Sequence, residues 1–119
     1  YVFNVEESKR MAEAGADIIV AHMGLTTGGS IGAETAMTLD DAVREVQAIA
    51  DAAKSVRDDV FVICHGGPIS MPEDAGYVLR NCRGVDGFYG ASSMERLPTE
   101  TALTSQVKSF CEIELPKRD

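Results

Sequence analysis

The chain holds two histidines, His22 and His65, and each closes a short apolar run, DIIVAH and VFVICH. Both runs are apolar on both faces, as parallel strands covered by helices are. Side chains alternate along a strand, so Ile18, Val20 and His22 share one face, as do Phe61, Ile63 and His65. Neighbouring strands lie ~4.8 Å apart, close enough for both rings to line one pocket. An imidazole there can act as acid or base, or donate to a substrate oxygen. A packed strand end is the structural alternative, but two histidines at equivalent strand ends favour function. His65 directly precedes Gly66-Gly67 and is expected to carry more of the ligand handling than His22, which could instead orient Thr26 or Ser30. Cys64 alternates to the opposite face from His65, which disfavours a cysteine–histidine nucleophile pair.

The segments after the apolar runs are rich in glycine and hydroxyl groups. They read HMGLTTGGSIG from His22, HGGP from His65 and GASSMER from Gly90. Glycine lets backbone N–H groups converge on an anion because no Cβ blocks the approach. Candidate anion-binding residues are Gly24, Thr26, Thr27, Gly28, Gly29 and Ser30 in the first loop. Gly66 and Gly67 follow in the second, and Gly90, Ser92 and Ser93 in the third. The plainer reading is that these glycines only satisfy turn geometry. The length of the first loop suggests a mobile flap. Glu95 is a third candidate acid or base, or else a surface carboxylate paired with Arg96; Glu34 is a weaker candidate. No Asp/Glu/His grouping has the spacing of a complete metal site.

Four strand–helix repeats are expected to position these loops. Strands are predicted near residues 1–4, 17–23, 60–65 and 85–91. Helix caps are predicted at Asn4 with Glu7, Thr38 with Asp41, and Ser70 with Glu73. The second helix carries Leu39, Val43, Val46, Ile49 and Ala53 on one stripe, and the third Ala75, Val78, Leu79 and Cys82. The fourth, from Pro98 to about Glu112, is expected to turn Leu103, Val107 and Phe110 inward, before a frayed tail at 116–119. This alternation implies a parallel sheet with right-handed crossovers. The fold class is therefore α/β, a (β/α)4 half of a (β/α)8 barrel; a small open doubly wound sheet is the alternative. Half a barrel leaves edges and a sheet face uncovered, so the chain is expected to pair with a missing N-terminal half or with another copy of itself. In either architecture ligands bind at the carboxyl ends of the strands. The unusual residues fall there, and the αβ turns are plain.

Composition narrows the partners. The 119 residues bound the chain to one domain, and the net charge of −8 argues against nucleic acid. No apolar run approaches the ~18 residues a membrane helix needs. Cys64, Cys82 and Cys111 show neither a disulfide framework nor zinc-ligand spacing. They read as free thiols in a reducing cytoplasm.

The strings GADIIVAHMGLTTGGSIGA, CHGGPISMPEDAGYVL and GVDGFYGASSMERLP resemble the C-terminal half of the phosphoenolpyruvate hydrolase-like TIM-barrel family. Its members are also described as TIM-barrel signal-transduction proteins, and as the C-terminal domain of tobamovirus-resistance-like proteins. The likeness runs from Tyr1 to about Ile113. It implies a phosphoenolpyruvate/pyruvate-superfamily barrel, hydrolase or lyase, working on small phosphorylated or carboxylated oxo-acids. It also implies Mg2+, with metal ligands on earlier strands outside this chain. What transfers by position is the loop from His22 to Ser30, the loop from Cys64 to Pro68 and the loop from Tyr89 to Arg96. By their own side-chain chemistry His22, His65 and Glu95 are the catalytic candidates in these loops, with the loop glycines and serines on the anion. The alternative is a non-catalytic ligand-sensing domain.

Overall fold

The computed structural model describes residues 1–30, 32, 34 and 37–116. The elements run α1 (Val5–Glu13), β1 (Ile18–His22), α2 (Leu39–Val56), β2 (Phe61–His65), α3 (Pro72–Asn81), β3 (Gly87–Phe88) and α4 (Arg96–Cys111). The strands form one parallel sheet in the order β1-β2-β3. Val2 makes a single parallel bridge to Ala21 on the far side of β1. The fold is thus α/β with parallel strands and outer helices, half of a (β/α)8 barrel.

Helix entry follows local chemistry. The Asn4 side chain accepts from the Glu7 N–H at 2.9 Å, and Glu7 Oε2 accepts from the Phe3 N–H at 2.8 Å. At α2, Thr38 and Asp41 form the reciprocal capping box that their spacing predicts. At α3 the capping carboxylate is Asp74, not Glu73. Its Oδ2 accepts from Ser70 N, Ser70 Oγ and Met71 N. Pro72 fixes the first helical position, which moves the cap to Met71 and the reciprocal partner one residue on.

One face of the sheet is closed. Ile19, Ala21, Val62 and Cys64 pack there against Ala12 of α1, Val46, Ile49 and Ala53 of α2, and Val78 of α3. Ser8 is fully buried where α1 crosses α2, and its Oγ donates to the Ile49 carbonyl at 2.8 Å. The other face is open: Ile18 is 57% and Phe61 58% exposed, beside Tyr1 and Phe3. These side chains would fill the interior of a closed barrel.

Three further expectations need correction. The strand expected over residues 1–4 is reduced to the Val2 bridge, and the one over 85–91 to Gly87–Phe88. Both lie at sheet edges with no outer neighbour to extend their ladders. Leu103, Val107 and Phe110 do not turn inward; they are 63%, 60% and 64% exposed. Leu97 is the only buried residue of α4. The two-residue β3 offers that helix no sheet surface to lie on, and the chain extends over 78 × 24 × 22 Å. Of the tail expected to fray, residues 117–119 lie outside the described residues, as do residues 31, 33, 35 and 36 of the expected flap.

Candidate functional site

Parallel register fixes the histidines. β1 and β2 pair Ile18 with Phe61 through to His22 with His65, so the two rings stand side by side at the carboxyl edge. Their centroids are 4.8 Å apart at an interplanar angle of 73°. Tyr1 lies 5.1 Å from His22 and 5.5 Å from His65, Tyr89 lies 5.1 Å from His65, and Phe3 lies 4.9 Å from His22. An aromatic row thus brackets the pair.

Each ring is pinned through Nδ1, in opposite senses. The Gly24 N–H donates to His22 Nδ1 at 3.0 Å. His65 Nδ1 lies 2.7 Å from the Tyr89 carbonyl oxygen. A carbonyl only accepts and a backbone amide only donates, so His65 carries its proton on Nδ1 while neutral His22 carries its on Nε2. No described group bonds either Nε2, and no buried side-chain nitrogen among the described residues lacks a partner. Each Nε2 therefore keeps some contact with solvent, although His65 as a whole is buried, at 8% exposure. Burial lowers the His22 pKa from its ordinary 6.5, and the neighbouring His65 lowers it further, which favours neutral His22.

The loops converge beside this pair. Gly67 N–H donates to the Gly24 carbonyl at 2.8 Å, and Thr27 N–H and Oγ1 both donate to the Gly67 carbonyl. A Cβ on Gly66 would come within 2.2 Å of the Gly24 oxygen, and one on Gly67 within 2.2 Å of the Met23 oxygen. Close passage of two backbones thus accounts for both glycines. It also commits the Gly67 and Thr27 amides inside the loops. In the third loop, Ser92 and Ser93 are half-buried, and a Cβ on Gly90 would meet Met94 Cγ at 2.5 Å.

Other candidates fall elsewhere. Glu95 is exposed at the N-terminus of α4, with no ion pair to Arg96 or to either histidine. Arg96 instead pairs with Glu100 at 3.0 Å, one helical turn on. The two clasp the first loop: Arg96 Nη2 donates to the Gly28 carbonyl at 3.3 Å, and Ser30 N–H and Oγ each donate to Glu100 at 3.2 Å. That clasp escaped sequence reasoning, although the Arg96–Glu100 spacing of four is a helical-pair signal. Tyr1 and Phe3, which flank the Val2 bridge, were missed as well, and Tyr89, just past β3, entered only as the first residue of the third loop. On the outer side of His22 a cleft of about 510 Å³ is lined by Phe3, His22, Met23, Gly24, Met37, Asp41 and Glu45.

The described residues do not fit Mg2+: no group of three or more His, Cys, Asp or Glu side chains among them comes together as a ligand set. Cys64 is buried beneath the sheet, opposite His65, and burial pushes its thiol up to about 11. It is thus no nucleophile for this edge. No helix among the described residues is long and apolar enough to cross a membrane.

Parallel strands, outer helices and a polar carboxyl edge define a half-barrel. Residues 1–113 match the phosphoenolpyruvate hydrolase-like family, and the chain belongs to it. Two tomato (Solanum lycopersicum) proteins, the ToMV susceptible protein tm-1(GCR26) and the ToMV resistance protein Tm-1(GCR237), are each 61% identical over 115 residues. Those alignments take in 97% of this chain and 15% of each tomato protein. A putative transcriptional regulatory protein, y4pA of Sinorhizobium fredii, is 31% identical over 92% of this chain and 18% of its own length. The chain thus spans less than a fifth of these relatives.

Proposed function

We propose that this chain is the C-terminal half of a phosphoenolpyruvate/pyruvate-type barrel and forms the working edge of an enzyme for small phosphorylated or carboxylated oxo-acids. One observation carries the reading: His22 and His65 stand in register at the carboxyl ends of adjacent strands, each with an accessible Nε2. Acid–base work needs paired groups with different proton status, held where a ligand can reach them. Ser92 and Ser93 on the third loop would help hold the acid group. The exposed sheet face would be covered by the N-terminal half-barrel or by a second copy of the chain, in a cytoplasmic homo-oligomer. Turnover of phosphoenolpyruvate or pyruvate by the intact protein, lost in His65→Asn with the fold retained, is the expected result.

A ligand-sensing role is the second reading, favoured by the rhizobial relative's name as a putative transcriptional regulatory protein. It predicts saturable binding of a small acid by the intact protein with no product formed. Absence of both binding and turnover would remove both readings.

A further inference from the structure

The two rings present unlike atoms to the ligand. His22 spends its Nδ1 lone pair on the Gly24 N–H, which leaves Nε2–H as an outward donor. His65 spends its Nδ1–H on the Tyr89 carbonyl, which leaves the Nε2 lone pair as an outward acceptor. Both anchors are backbone atoms and cannot exchange donor for acceptor, so the assignment is fixed by the fold. It holds while both rings are neutral.

We infer that this edge is a donor–acceptor site for a small acid bearing a hydroxyl beside a carbonyl or carboxylate oxygen. The ligand oxygen accepts from His22 Nε2–H, and its hydroxyl donates to His65 Nε2. The inference rests on the small-acid reading above and narrows it to hydroxy- or enol-form acids. An acid with acceptor oxygens alone places one of them against the His65 lone pair and leaves that nitrogen unsatisfied. Sites built to bond a hydroxyl reject analogues without it, because their own polar group then stays unpaired. Tyr1 and Tyr89 flank the pair, with ring centroids 5.1 Å from His22 and from His65 respectively.

Lactate and pyruvate differ at the needed position, hydroxyl against oxo, and serve as the probes. Their binding to the intact protein is measured by calorimetry at pH 8, where imidazoles are ordinarily neutral. Asparagine variants delete each outward nitrogen and keep the inner bond. In His65→Asn the side-chain amide can still donate to the Tyr89 carbonyl, and in His22→Asn the side-chain oxygen can still accept from Gly24. Lactate is expected to bind about tenfold tighter than pyruvate. His65→Asn should erase that preference, and His22→Asn should weaken both acids about tenfold.

Equal binding of the two acids, or tighter pyruvate binding, with both still sensitive to the variants, overturns this inference and leaves the small-acid reading standing. Binding of neither acid, or binding indifferent to both variants, overturns both. Imidazole 15N NMR of the wild-type protein decides the matter should a variant misfold. Protons on Nε2 of His22 and Nδ1 of His65 are expected, and two rings in the same tautomer refute the inference.

Discussion

Gly66→Ala tests how the crossing of two loops sets the site. Gly66 has φ +78°, where a residue with a Cβ costs about 1–2 kcal/mol. Its new Cβ would stand 2.2 Å from the Gly24 carbonyl oxygen, a backbone atom that no rotamer change can move aside. Relief requires the two loops to separate. The hydrogen bonds at that junction, Gly67 N–H to Gly24 and Met23 N–H to His65, are each 2.8 Å long and contribute about 1 kcal/mol apiece. The local penalty is therefore about 3–4 kcal/mol. Gly15→Ala is the control: Gly15 has φ +91° with nothing within 4 Å of a built Cβ, so only the backbone cost applies. Amide hydrogen exchange in the intact protein reads the difference. The Gly67 and Met23 amides should exchange faster in Gly66→Ala, by roughly 30-fold beyond any change in Gly15→Ala, as a difference of about 2 kcal/mol requires. The same exchange rates in both variants would refute the close-passage argument.

Lowering the pH should cost stability in two stages. Folded His22 sits below its ordinary 6.5, so as pH falls through that value the unfolded chain takes up a proton that the folded chain resists. The first decline therefore begins near pH 6.5, and denaturant titrations of His22→Asn across pH should lack that contribution. A further decline below about pH 4 should follow the protonation of Asp41, Asp59 and Glu100, held low by bonds from Thr38, Arg57 and Arg96. Thiol labelling of the folded protein at pH 8 should modify exposed Cys111 first and leave buried Cys64 intact, as peptide mass mapping would show. The 119-residue chain alone should not unfold cooperatively as a monomer, because Ile18, Phe61, Tyr1 and Phe3 leave apolar area wet at ~25 cal/mol per Å²; sedimentation with chemical denaturation checks this.

Much of the architecture was legible because it is written in local patterns. The doubly apolar runs gave β1 and β2, and the Asn4–Glu7 and Thr38–Asp41 spacings gave two helix starts. What sequence missed depends on neighbours. Leu103, Val107 and Phe110 do form an apolar stripe, but a stripe does not say whether a sheet lies beneath it. Strand alternation brought His22 and His65 to one face, yet their tautomers are set by Gly24 and Tyr89 in loops whose crossing no periodicity encodes. The loop glycines of the first two loops do meet at the carboxyl end of the sheet, as connectivity requires, and their amide partners became visible only in three dimensions.

The central claim is that His22 and His65 form one ligand site at the carboxyl edge of the sheet. It is tested most directly by following both imidazoles, assigned through the asparagine variants, in 1H–15N NMR spectra of the intact protein during lactate titration. Both rings should shift along one saturation curve with a single midpoint. Movement of one ring alone, separate midpoints, or saturation with neither ring disturbed would contradict it.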